Sequence, residues 1–279
     1  MILHQRALLG AGLAALAAGP ALAQAATAPE TLTTQVDGRT LAVRVWRPAQ
    51  ARGVILFSHG GNGDVDNYAA LTERWAADGW LVLAPVHADS VELPPASRAS
   101  LQAAYPLRMA EMRAASALAA AQAPGLPAVA AGHSYGALFA AMAGGALADR
   151  GGVRDPSVRG VVMLSSPGVI PGLISPQAYA TLAVPLMVMT GDADLVPGLV
   201  TDWRAHLHAF ETAPAGDRLA VVWRGGDHAF GLRDADGTRA TAIADLTADF
   251  MAAHALNDEA DRRRLQALAS NDLHDIRRR

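Results

Sequence analysis

Ala128-Val129-Ala130-Ala131-Gly132-His133-Ser134-Tyr135-Gly136-Ala137 is the stretch that decides how this chain folds. Ala128–Ala131 is a short apolar run that reads as a buried strand. Ala137–Leu147 is dense in alanine and glycine and has the pattern of a helix thin enough to lie tightly on a sheet. Between them stands G-x-S-x-G. A strand that turns sharply into a helix at a serine lifts the hydroxyl clear of the sheet edge. Gly132 and Gly136 carry no Cβ, so neighbouring backbone can approach the turn. The strand before and the helix after separate this arrangement from a chance pentapeptide.

Outward from the turn, buried strands alternate with helices. Upstream, Leu32–Val36 and Leu41–Trp46 read as antiparallel strands joined by an Asp37-Gly38 turn. Val54–Ser58 is continuously apolar, as a strand covered on both faces must be, and it runs into His59-Gly60-Gly61-Asn62-Gly63. Tyr68–Asp78 has helical spacing and stops at Gly79; Trp80–Pro85 is the next strand. Ala88–Ala104 reads as a loop and Leu107–Ala121 as a helix. Downstream, Gly160–Leu164, Pro185–Thr190 and Leu219–Trp223 are strands, and Arg239–Leu256 is an amphipathic helix. The expected fold is α/β: a mostly parallel, doubly wound sheet of about eight strands flanked by helices. It should occupy residues 32–256. The segment from Ser165 to Pro185 fits a loop and a short helix, so no large cap domain is expected. Residues 257–279 read as a charged tail, a helix with a loose end, and the closing arginines as solvated.

Composition removes several chemistries. The chain has 279 residues, is 51% hydrophobic and carries a net charge of −3. That balance gives no electrostatic footprint for nucleic acid. All 23 basic residues are arginine, which rules out Schiff-base lysines, serine–lysine dyads and a P-loop lysine. The absence of cysteine rules out thiol nucleophiles, disulfides and thiolate metal sites. Residues 1–23 resemble an export signal: His4 and Arg6, then the apolar run Ala7–Ala18, then an A-x-A site at Ala21-Leu22-Ala23 or at Ala23-Gln24-Ala25. Residues 24–31 follow as a linker. The apolar run is short for a bilayer span, and no cysteine follows it to carry a lipid anchor. The expectation is a periplasmic or secreted protein without a membrane anchor.

A serine hydroxyl needs a base to take its proton and a third group to orient that base. Candidates follow later strands in the order serine, acid, histidine. Asp192 and Asp194 lie in Thr190-Gly191-Asp192-Ala193-Asp194-Leu195-Val196-Pro197, and His228 lies in Gly225-Gly226-Asp227-His228-Ala229-Phe230. Of nine histidines, His228 alone sits in a glycine-flanked loop after the final strand. Asp227 is expected to orient that loop. His206 and His208, two apart on a helical stretch, face different ways and give no metal pair. His133 is expected under the turn, and His87 to line a pocket or cap a loop.

On Phe57–Gly61, Gly132–Gly136, Asp155–Pro167, Gly191–Pro197 and Gly226–Phe230, the chain resembles α/β-hydrolases. Within that fold it resembles the dienelactone-hydrolase-related and platelet-activating-factor-acetylhydrolase-like serine esterases. The resemblance implies a catalytic set of Ser134, Asp194 and His228, with Asp194 matched through Gly191 and Pro197 and Asp192 as the alternative acid. It implies an oxyanion hole from the N–H groups of Tyr135 and Gly61, with Asn62 a possible helper, and no cofactor or metal. True dienelactone hydrolases use a cysteine where this chain has Ser134, so that reaction is not implied. The expected substrate is a small-molecule or polymeric carboxylic ester. A peptidase or amidase on the same residues, and a non-catalytic binding protein of the same fold, stay open.

Overall fold

The structure is a computed structural model that describes residues 28–152, 154–229 and 237–279. The expected export signal, linker residues 24–27 and Phe230 lie outside the described residues.

The chain runs β1 (Glu30–Val36), β2 (Arg39–Trp46), β3 (Gly53–Ser58), α1 (Ala69–Ala77), β4 (Trp80–Pro85), α2 (Leu101–Gln122), β5 (Ala128–His133) and α3 (Tyr135–Ala143). It continues through β6 (Val158–Leu164), β7 (Leu186–Gly191), α4 (His208–Thr212), β8 (Arg218–Trp223), α5 (Thr238–Ala255), α6 (Glu259–Ala267) and β9 (His274–Arg278). All strands join one sheet in the order β1-β2-β4-β3-β5-β6-β7-β8-β9. The six from β4 to β8 are parallel; β1, β2 and β9 are antiparallel additions at the two edges.

The side-chain period of two divides the core. Val54 and Leu56 of β3 face α2, α3 and α4, whereas Ile55 and Phe57 face α1, α5 and α6. After β3 the chain first moves out to β4, then returns to place β5 on the other side of β3. The strand order therefore reverses between β3 and β5, and a crevice opens there beyond their C-terminal ends. The loop after β3 begins at His59 and the turn after β5 is Ser134, so sequence order alone delivers both to that crevice. Among the described residues no helix is long and apolar enough to cross a membrane, and Ser165–Pro185 holds no named helix or strand, only an Ile170–Ile174 bridge.

Two expectations are corrected. The helix expected at Leu107 starts at Leu101, because Ser100 caps it by accepting the Ala103 N–H (3.3 Å), and it continues through Pro106. The tail is not loose. Residues 259–267 are α6, and β9 pairs with β8 from Leu219–Arg278 to Trp223–His274. The closing arginines, expected to be solvated, take part: Arg279 N–H donates to Arg218 O (3.1 Å). An edge strand needs only its partner's free backbone groups. His-Asp-Ile-Arg-Arg can therefore pair without any apolar alternation to announce it.

Candidate active site

Ser134 has φ +52° and ψ −124°, a backbone conformation that a residue with a side chain rarely adopts. The turn is held there by close backbone contacts. A Cβ on Gly132 would lie 2.4 Å from Gly136 O, and one on Gly136 would lie 2.0 Å from Ser58 O. Both obstacles are backbone and cannot swing aside. Gly136→Ala is expected to lower unfolding free energy by about 2–3 kcal/mol, since α3 must shift off β3 to make room. Urea titration reads this directly, and an unchanged midpoint would mean the contact is not tight.

The structure brings Ser134, Asp194 and His228 together. Asp194 Oδ1 accepts from His228 Nδ1–H (2.8 Å), which leaves Nε2 to accept from the Ser134 hydroxyl (3.0 Å). Asp194 is fully buried, while the His228 side chain keeps 28% of its exposure. Burial alone would push the Asp194 carboxyl up. Hydrogen bonds from His206, His228 and Ser165 outweigh it and hold the group well below the ordinary carboxylate range. Asp192 stands apart: its Oδ1 accepts the Gly225 N–H (2.6 Å), tying the β7 loop to the β8 loop. Asp227 accepts the Ala229 N–H (3.0 Å) and so braces the turn around His228.

His133 links the two sides of the crevice. Its Nε2–H donates to His228 O and its Nδ1 accepts from Tyr68 Oη–H, each at 2.8 Å; Tyr68 Oη in turn accepts the Gly60 N–H (3.1 Å). Burial pushes its pKa down to about 4, so the ring stays neutral in these roles.

The loop after β3 has its own internal support, which the sequence did not announce. Arg108 on α2 is fully buried and all five of its N–H groups are used. Nε and Nη2 grip Asp89 (2.7 and 2.8 Å), Nη1 reaches His59 O (2.7 Å) and Ser58 Oγ (3.4 Å), and Nη2 also reaches Gly60 O (2.9 Å). Burial would raise the Asp89 carboxyl, but the Arg108 bonds and charge bring it down to about 2. In a trans peptide C=O and N–H point in opposite directions. Pinning Gly60 O on Arg108 therefore turns the Gly61 N–H away from Arg108. Gly60 N–H goes to Tyr68 and Asn62 N–H goes to Asp89 Oδ2 (2.8 Å). Among the described residues the Gly61 N–H has no intramolecular partner. The Asn62 N–H is thus committed to structure, whereas that of Gly61 is free. The Tyr135 N–H is likewise an unpaired donor at the first position of α3. Its ring lies under Arg108, 5.0 Å from the guanidinium carbon.

His87 lines no crevice. It is fully buried, accepting from Ser58 Oγ and donating to Glu111 Oε2, both at 2.8 Å. His206 is the neighbour of Asp194 that sequence reading missed. It lies on a 3-10 turn (Trp203–Leu207), is buried, and its Nε2 sits 2.9 Å from Asp194 Oδ1. His208 points elsewhere, toward Ser175 O (3.3 Å). The ligand atoms of Asp194, His206 and His228 all lie within 4.8 Å of one another. Both imidazoles, however, place the relevant nitrogen at hydrogen-bond length from Oδ1, so a cation there would have to displace their protons.

Exposed apolar side chains follow the C-terminal ends of several strands. Val91 and Leu101 follow β4, Val169 follows β6, and Leu195 and Leu199 follow β7; these are five of the six large hydrophobic side chains that are exposed among the described residues. A separate recess of about 480 Å³ between α2 and α3, lined by Met109, Met112, Phe139 and Met142, includes neither Ser134 nor His228.

No family model matches the chain, and no curated protein does. Solved structures do. Dienelactone hydrolase from Anabaena variabilis superposes with a TM-score of 0.63 at 18% identity, over 83% of this chain and 100% of that one. A soluble variant of monoglyceride lipase from Saccharomyces cerevisiae gives 0.65 at 12% identity, over 86% and 99%. An α/β serine hydrolase homologue from Coxiella burnetii gives 0.60 at 16%, over 81% and 98%. At these identities the likeness is one of fold.

Proposed function

We propose that this chain, which has the α/β-hydrolase fold, is a serine hydrolase that cleaves carboxylic esters through an acyl-enzyme. The observation that carries the proposal is the relay from Asp194 through His228 to Ser134, ending at a strained turn beside two N–H groups that are unpaired among the described residues. Binding alone requires neither the relay nor the strain. Proteins of similar structure (a dienelactone hydrolase, a monoglyceride lipase, an esterase domain from Rhodothermus marinus) point the same way.

Ser134 Oγ attacks the ester carbonyl carbon as its proton passes to His228 Nε2. The oxygen that gains charge accepts from the N–H groups of Gly61 and Tyr135; one such donor contributes about 3 kcal/mol in the transition state. The leaving alkoxide departs with the proton from His228. Water then gives a proton to the same nitrogen and attacks the acyl carbon; as the acyl bond breaks, Nε2 returns that proton to Ser134 Oγ and the acid leaves. Asp194 holds Nδ1–H throughout and stabilises the transient imidazolium. With no cap domain and exposed apolar side chains after several strands, the site suits short- to medium-chain acyl groups or exposed ester bonds of a polymer. The apolar run at Ala7–Ala18 supports export as part of the same proposal.

Assignment of the acid has a clear test. Asp194→Asn should lower kcat by roughly 10³–10⁴, because the amide would present the wrong group to His228. Asp192→Asn should stay within a few-fold of wild type. The reverse pattern would move the role to Asp192. The activity itself is tested with p-nitrophenyl esters from acetate to palmitate beside a matched anilide. Faster turnover of an ester supports the proposal and its chain-length optimum sizes the site. Turnover of the anilide alone would make the protein an amidase.

A further inference from the structure

Asp194 serves two histidines. Its Oδ1 lies 2.8 Å from His228 Nδ1 and 2.9 Å from His206 Nε2, while Oδ2 accepts from Ser165 Oγ (2.6 Å) and Thr190 Oγ1 (2.9 Å). The other His206 nitrogen, Nδ1, is 2.6 Å from Ser166 O, and Nε2 is also 3.2 Å from Asp194 O. Among the described residues, every atom that faces the His206 ring nitrogens is a carboxylate or carbonyl oxygen, and such oxygens only accept. A neutral imidazole has one donor and one acceptor nitrogen, so it would set one lone pair against an oxygen in a buried site. Only the doubly protonated ring satisfies both contacts.

We infer that His206 is a buried imidazolium that clamps Asp194 from the side away from Ser134 and tunes His228 through it, making it a positioning residue. This rests on the assignment of Asp194 and His228 above. The two rings stack with centroids 5.8 Å apart, so the charge on His206 opposes a second proton on His228. Burial would disfavour the His206 charge, but the bonds and charge of Asp194 and the Ser166 carbonyl outweigh it, and its pKa lies above the ordinary histidine value. The groups around it are consistent with this. His133 is held neutral, Asp202 and Arg204 pair with each other (3.1 Å) on the exposed side of the same turn, and Arg277 lies over Trp203 rather than the His206 ring.

Nitrogen NMR of the histidine-labelled full chain tests this without substrate. At pH 7 both ring nitrogens of wild-type His206 should carry protons; one unprotonated nitrogen overturns the inference, and no variant is needed to see it. In His206→Gln, which keeps a neutral donor toward Asp194, the His228 titration midpoint should rise by about one pH unit. The acid limb of kcat/KM should move with it. A lower kcat at every pH with an unmoved midpoint would reduce His206 to structural support. If wild type hydrolyses no ester, the functional proposal fails, while the two NMR readouts still decide the role of His206.

Discussion

Ser134→Ala is expected to lower kcat/KM toward a p-nitrophenyl ester by about ten-thousand-fold or more, with stability within about 0.5 kcal/mol of wild type. The hydroxyl is the only atom removed. It donates one bond, to His228 Nε2, and the His228 side chain is partly exposed. Alanine inherits the same φ of +52°, so the strain of the turn is neither relieved nor increased. Whatever activity survives belongs to the Gly61 and Tyr135 donors acting on water as nucleophile. No neighbouring serine can substitute: Ser165 is buried with its hydroxyl on Asp194, and Ser166 is buried against Pro167 O. Retention of more than a hundredth of wild-type activity would place the nucleophile elsewhere.

Arg108→Met is expected to cost about 3–5 kcal/mol of stability, the range for breaking a buried ion pair from one side. Both partners are fully buried, and the substitution leaves Asp89 charged with only the Asn62 N–H to face it. It also releases the carbonyls of His59 and Gly60, so the Gly61 N–H loses its fixed direction. Activity should therefore fall by about a hundredfold beyond any loss of folded protein. Adding Asp89→Asn separates the two effects. With no orphaned charge, the double variant should recover part of the stability in a urea titration. Its kcat should stay low, because nothing holds the two carbonyls. If stability and kcat recover together, the loop does not depend on Arg108 for its orientation.

The turn at Ser134 was legible because its cause is local: two glycines, four residues apart, between an apolar strand and a small-residue helix. The parallel sheet was legible for a related reason, since strands such as Val54–Ser58 and Trp80–Pro85 are apolar on both faces. His206 was not. Its significance comes from contacts with Asp194, twelve positions before it, and with the Ser166 carbonyl, forty before it. Reading it with His208 as a helical pair looked only along its own element. Arg108 and Asp89 were hidden likewise, as nothing in a helix rich in alanine says which arginine turns inward. The strand β9 escaped because its sequence is charged and it uses only backbone. The resemblance favoured Asp194 over Asp192 through Gly191 and Pro197, and the direction of each carboxylate separates the two.

The left-handed φ at Ser134 has an evolutionary consequence. Among residues, glycine alone adopts that backbone without strain, so the conformation that presents the hydroxyl costs the fold about 1–3 kcal/mol. A lineage drifting toward glycine at this position would gain robustness and lose its chemistry in the same step. The serine therefore persists only under selection that acts on what the protein does, which makes it a marker of use: descendants released from that use would be the sturdier molecules.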